Sequence, residues 1–222
     1  WTRGLMIGGG LAGTALNTTD LDLWVLAHGG HPGNRAEGNV HCILVLNKTE
    51  VGIQGLMNTH NSITNFLIGR QVYFKDRFTS YLELSGGSLH AVYKGVVPSG
   101  YTPTADEEGK TMFLRSKPFL LGLTSRNVVS YINRRGYDLL HVSIILAANY
   151  MPGVQNWKYG YEVKKEGGSY DGGTTTYDEF HGRRVNGVPA YGRFMFTAGI
   201  AIGLGGPVVD SYPRFAGRDG CW

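Results

Sequence analysis

Four residues with metal-ligand chemistry lie within fifteen positions of one another: His28, His31, His41 and Cys42. Imidazole and thiolate are the ligands zinc prefers, and the H-x-x-H spacing of the first two is usable. His41 and Cys42, however, are neighbours in an apolar run that reads as a strand. Consecutive side chains there point to opposite faces, so both cannot easily reach one ion, and the expectation is no metal. Gly8, Gly10 and Gly13 match G-x-G-x-x-G after Leu5-Met6-Ile7, the opening of a dinucleotide fingerprint. Asn17-Thr18-Thr19-Asp20 would break the helix that must follow, which removes the cofactor reading. No G-x-S-x-G elbow occurs, and the acid pair Asp178-Glu179 falls on a strand or loop, so the chain is expected not to be an enzyme. Two basic pairs remain, Arg134-Arg135 before Gly136 and Lys164-Lys165, with Tyr131, Tyr137 and Trp157 near them in sequence. A guanidinium fork suits phosphate and an aromatic face suits a base, so these four basic residues are the candidate contacts for a small nucleotide.

The elements that would position such groups are strands. With 34 glycines and 12% aromatic residues in 222, the composition favours many turns and large rings between sheets over long helices. The net charge of +4 is scattered, with no basic run longer than a pair, which argues against a polynucleotide partner. Two cysteines are too few for a disulfide scaffold. Both read as free thiols of a reducing compartment, with Cys42 a small core residue. The longest mostly apolar stretches, Leu139 to Ala148 and Phe194 to Leu204, fall short of the roughly 20 residues a membrane helix needs, so no membrane contact is expected.

The stretch Leu21 to Ile53 reads as a hairpin, with Leu21, Leu23 and Val25 alternating in one strand and Val40 to Leu46 as a central strand buried on both faces. Residues 1–20 read as an N-terminal arm, and 21–222 as one domain ending in an aromatic tail. Gln54 to Phe66 suggests a short helix or crossover, Pro98 to Lys110 a surface loop, and Tyr177 to Gly187 a charged connection. Further strands are expected around Val72–Phe74, Phe78–Leu84, Leu89–Val97, Phe113–Leu123, Leu139–Ala147, Trp157–Lys165 and Ala190–Leu204, with Val128–Arg135 a strand or one short helix ending at Gly136. Gly86-Gly87 marks a turn between two of them. The expected fold is mainly β: a compact antiparallel β-sandwich, jelly-roll-like, with short flanking helices.

Several of these segments resemble the polyhedrins of cypoviruses, proteins that crystallise around virus particles in infected insect cells. The resemblance is carried by Leu23-Trp24-Val25, Leu44-Val45-Leu46-Asn47-Lys48 and Val51-Gly52-Ile53, and more faintly by Ser125-Arg126-Asn127-Val128-Val129 running on to Arg134-Arg135-Gly136. It implies a structural protein packed as a homotrimer into an intracellular crystal in the host cytoplasm. Such a crystal would occlude virus particles, take up a nucleotide such as ATP, GTP or CTP, need no other cofactor, and dissolve at alkaline pH. A viral jelly-roll capsid subunit or a lectin-like sandwich is the alternative.

Overall fold

The computed structural model describes residues 3–31, 36–58, 61–75, 77–97, 101–132, 138–153, 155–170 and 173–205. Its elements are β1 (Arg3–Leu16), α1 (Thr19–Ala27), β2 (Ala36–Leu46), β3 (Thr49–Met57), β4 (Asn61–Lys75), β5 (Phe78–Lys94), β6 (Met112–Ser116), β7 (Phe119–Ile132), β8 (Asp138–Tyr150), β9 (Trp157–Tyr170), β10 (Gly173–Val185) and β11 (Phe194–Gly205). The fold is mainly β and antiparallel, as expected, but it is a closed barrel and not two stacked sheets. Strands β1-β2-β3-β4-β5-β7-β8-β11 pair in that order, and β11 returns to β1.

One cross-strand row can be followed around the barrel from Leu46 through Thr49, Arg70, Leu82, Ser125, Leu146, Ala198 and Gly13. It arrives back on β2 at Ala36, ten residues from where it began. Eight strands with a stagger of ten residues require a tilt of about 40° and a backbone radius of about 8 Å. Side chains fill a cylinder of that width.

The sequence-based arm is the first correction. Arg3–Leu16 is hydrogen-bonded to β2 on one side and β11 on the other, so its glycines lie in the wall. The second is Leu21 to Leu26, expected as a strand and found within α1. Asp20 and Asp22 sit in its first turn, where carboxylates favour the helix N-terminus, and the Thr18 hydroxyl donates to Asp22 Oδ2 at 2.5 Å. Leu21 and Val25, four apart, are its buried face, and Trp24 stacks on His28 one turn later at 4.0 Å. Gln54 to Phe66 contributes strand to β3 and β4 rather than a crossover helix. Tyr177 to Val185, expected as a charged connection, lies in strand β10. The central-strand expectation also changes: Val40 to Leu46 alternates between the two sides of the wall, and Cys42 is exposed.

The two ends of the barrel differ. The first residue of β1, the last of β11, the Asn47-Lys48 turn, the ends of β4 and β7 and the starts of β5 and β8 gather at one end. The opposite end carries α1 and the additional strands β6, β9 and β10, which continue outward from the far end of β5 as a four-stranded sheet. There α1 and the sheet bury Leu21, Val25, Leu89, Tyr93, Trp157 and Tyr191 in a compact apolar cap. Residues 101–110 lie in turns and irregular chain, in line with the expected surface loop.

Asn47 is the one described non-glycine residue with positive φ, 61°. A left-handed backbone costs a branched side chain about 1–2 kcal/mol. Asn47→Val should lower the thermal unfolding midpoint by that equivalent while Asn47→Gly leaves it nearly unchanged; equal midpoints would mean that the turn does not set the β2–β3 register.

Candidate functional site

The residues facing into the barrel and those facing out are distributed in the reverse of the usual order. Outward positions on β11 read Phe194, Phe196, Ala198, Ile200, Ile202, Leu204, with Ile200 52% exposed; β8 gives Leu140, Ile144 and Leu146, and β3 gives Val51, Ile53 and Met57. Inward positions include Asn39 and His41 on β2, Glu50 and Gln54 on β3, Asn65 on β4, Glu83 and Ser85 on β5, Thr124 and Arg126 on β7, and His141, Ser143 and Asn149 on β8. All of these are buried.

At the centre of this polar layer Arg126 Nε donates to Glu83 Oε1 at 2.7 Å and Nη2 to Oε2 at 3.4 Å, with both side chains 0% exposed. A third ionisable residue, Glu50, is equally buried, and neither of its oxygens meets a hydrogen-bond donor among the described residues; burial, then the neighbouring Glu83 carboxylate, pushes its carboxyl far above the usual range, so that it is neutral. Register explains how the two acids come together. Glu50, Gly69 and Glu83 face one another across β3, β4 and β5, and a Cβ on Gly69 would lie 2.7 Å from Glu83 Cγ and 3.0 Å from Glu50 Oε1. The missing side chain is the space they use.

A second pair repeats the device. His41 on β2 and His141 on β8 are separated by Gly8 on β1 and Gly203 on β11, all four in one row. The rings reach over the glycines until the two Nε2 atoms are 3.1 Å apart. His141 Nδ1 lies 2.9 Å from the Gly205 carbonyl, which can only accept. His141 Nδ1 therefore carries the proton and its Nε2 accepts from His41 Nε2–H. Gly8, which looked like part of a nucleotide fingerprint, provides clearance for an imidazole.

Below the polar layer, toward the short turns, Met6, Ile43, Val45, Leu67, Tyr81 and Val128 form a separate apolar cluster. Above it lies the cap beneath α1. The buried charges are thus enclosed between two apolar plugs.

The residues singled out from sequence are dispersed. His28 is on the edge of α1 with Nδ1 2.6 Å from the Trp24 carbonyl, His31 is exposed beyond the helix, His41 is inside the barrel and Cys42 is on its outer wall. Lys164 and Lys165 are positions on β9 opposite Asp178 and Tyr177 of β10, and Arg134 and Arg135 lie outside the described residues. Sequence reasoning gave no functional role to Glu50, Glu83, Arg126 or His141. The available signal was weak: a single polar residue within a mostly apolar run, as in Tyr81-Leu82-Glu83-Leu84 or Leu139-Leu140-His141-Val142.

Outside the barrel, residues 101–110 fold onto β9 through Glu107. Its Oε2 accepts from the Tyr101 hydroxyl at 2.6 Å and from the Thr104 backbone N–H at 2.9 Å, and the Tyr101 ring packs edge-on against Tyr159 at 4.4 Å. The Thr104 amide, followed by the Tyr101 hydroxyl, holds the Glu107 carboxyl below the usual carboxylate range. Burial, then the neighbouring carboxylate, pushes the Tyr101 phenol up to about 12. Compared with protein-family models, curated proteins and solved structures, the chain has no match.

Two outcomes follow from this geometry. Glu83→Gln leaves the buried Arg126 without its counter-charge and should cost about 3–5 kcal/mol of stability. Glu50→Gln, at a carboxyl that receives no donor, should cost far less, and equal losses in denaturant titrations would show that Glu50 is the true partner. At the loop, a carboxyl held low stabilises at neutral pH and loses that contribution as pH falls through its depressed value. Cleavage within residues 101–110 by an acid-tolerant protease should therefore rise below about pH 4.5, the ordinary glutamate value, and Glu107→Gln should be cleaved readily at pH 7; identical cleavage of both proteins at both pH values would dismiss Glu107 as the latch.

Proposed function

We propose that the chain is an integral membrane β-barrel with a closed interior, and that its working surface is the sheet and loops it raises on one side of the bilayer. The observation that carries this reading is the inverted distribution of residues: an apolar outer wall around a fully buried ion pair. In water such a wall would leave a continuous apolar surface far larger than a monomer normally exposes. In lipid, side chains facing the hydrocarbon must be apolar, while the inside of the barrel is free to be polar.

The dimensions agree. The outward apolar positions of β11 run from Phe194 to Leu204. At about 3.3 Å per residue and a tilt of about 40°, that spans about 25 Å along the barrel axis, the height of the apolar band of such barrels. Aromatic residues border the band at both ends: Tyr73, Phe78 and Tyr131 near the short turns, and Phe119, Tyr150 and Phe194 near the long connections. The closed sheet leaves no unpaired strand edge within the band, which a spanning sheet requires because hydrocarbon offers no hydrogen bonds. Among the described residues no helix is long and apolar enough to cross a membrane, and a barrel needs none. The interior, plugged at both ends, suits an anchor better than a conducting pore.

The lattice protein implied by the polyhedrin resemblance would cover the same belt with copies of itself. That reading accounts for the apolar exterior. It gives no reason for a buried polar layer, which a chain folding in water would more economically fill with aliphatic residues.

Expressed with a suitable export signal, the protein should remain in the membrane pellet after alkaline carbonate washing, and should fold from urea only when detergent micelles or vesicles are present. Recovery as a folded protein in detergent-free buffer, or as intracellular crystals, would replace this proposal with the lattice reading. Ile144 and Ile200 are paired neighbours midway along the outer wall. An arginine at either should cost about 2–4 kcal/mol of folding free energy in vesicles, while Thr102→Arg in the exposed loop should cost nothing measurable. Equal tolerance at all three positions would mean that the belt does not meet lipid.

A further inference from the structure

Strands β6 and β7 both pair with β5 in one continuous register: Ser88 faces Phe119 and Ala91 faces Ser116. Inside and outside alternate without a slip from Met112 to Leu123, so Arg115, Lys117, Phe119, Leu121 and Leu123 share the outer face of a single line. Phe119, Leu121 and Leu123 belong to the apolar wall. Immediately beyond them the same face turns basic. Arg115 is directly opposite Lys158 on β9, and Lys158 is directly opposite Arg184 on β10, which places three cations in one cross-strand row. Like charges facing each other across strands are destabilising. Glu162 pairs with Arg115 and moderates the row; Lys117 and Lys158 have no acidic partner among the described residues. His90, Arg115, Ser116, Lys117, Asn156 and Lys158, with the Phe180 ring as a wall, surround a cavity of about 290 Å³. The Arg115 guanidinium lies over that ring at 4.3 Å.

Height decides what this cavity meets. Lys117 is two residues and Arg115 four residues beyond Phe119, the aromatic border of the belt. At about 3.3 Å per residue and a tilt of about 40°, their backbones stand roughly 5 and 10 Å above it. That is the depth of the polar headgroups. We infer that the cavity between β5, β6 and β9 is a binding site for the phosphate of an anionic lipid headgroup in the leaflet on the long-connection side, its acyl chains lying against Phe119, Leu121 and Leu123. This rests on the membrane reading above. Lys117 and Lys158 supply the charge, Asn156 a neutral donor, and the anion relieves the repulsion within the row.

The test uses the whole chain reconstituted in nanodiscs of a zwitterionic phospholipid, doped with a small fraction of either a phosphatidic acid or a neutral diacylglycerol of the same chains. Bound lipid is counted by native mass spectrometry. Wild type should retain phosphatidic acid over diacylglycerol, and Lys117→Gln/Lys158→Gln should lose roughly 20–30-fold of that preference, about fivefold for each surface cation removed. The same double substitution at Lys48 and Lys75, at the opposite end of the barrel, should retain it. Insertion of wild type without any preference for the phosphate lipid overturns the site while leaving the barrel standing; failure to insert in any nanodisc overturns both. If inorganic phosphate added to micellar protein raises the unfolding temperature as much as phosphatidic acid does, the site is one for free phosphate and the lipid assignment is overturned.

Discussion

Closure of the sheet is the constraint on which everything else depends. Strand β1 bonds to β2 along one side and β11 along the other, and every register in the wall follows from how those two seams meet. A ten-residue stagger around eight strands sets the radius, and the radius sets the size of the interior. An interior that narrow cannot hold large side chains at every level, which is why glycines recur on the inward face where a ring or a carboxyl must cross. The His41–His141 contact exists because Gly8 and Gly203 are empty, and the Glu50–Glu83 approach because Gly69 is.

The Arg126–Glu83 pair holds the layer those glycines make room for. Two charges taken wholly out of water gain little net stability from each other, but removing one strands the other. The pair therefore works as a register lock. Slipping any one of the strands concerned by a single residue would turn a charge onto the apolar wall. Apolar clusters above and below complete the enclosure, so the barrel is solid along its axis. What varies from one end to the other is the outside. Short turns close one rim, while at the other β5 outgrows the barrel and carries β6, β9 and β10 with it. Along β6 and β7, from Leu123 to Arg115, the apolar wall gives way to a basic surface.

The amino-acid sequence determined the class and many of the elements. Alternating runs bounded by glycine, asparagine and proline placed strands near Phe78–Leu84, Leu139–Ala147, Trp157–Lys165 and Ala190–Leu204, and those strands exist because a branched or aromatic side chain at every second position packs well on a pleated surface. The loop at residues 101–110 was likewise legible from its prolines, glycines and acids. Local signals also misled. Leu21, Leu23 and Val25 alternate like a strand, yet Leu21 and Val25 are also four apart, and the cap selects the helical alternative by burying that pair. Only the tertiary structure decided which face of each strand was inside. In β1 and β11 both faces are apolar or small, because glycine and alanine fill the narrow interior, so the alternation that marks a barrel wall is nearly erased from the sequence. A search for apolar helices long enough to span a membrane is blind to strands, which need only about ten residues to do so. The polar layer was invisible for a related reason: Glu50, Glu83, Arg126 and His141 lie between 15 and 43 residues apart from one to the next in sequence. Strand pairing around a closed circle, a property of no single segment, is what brings them together.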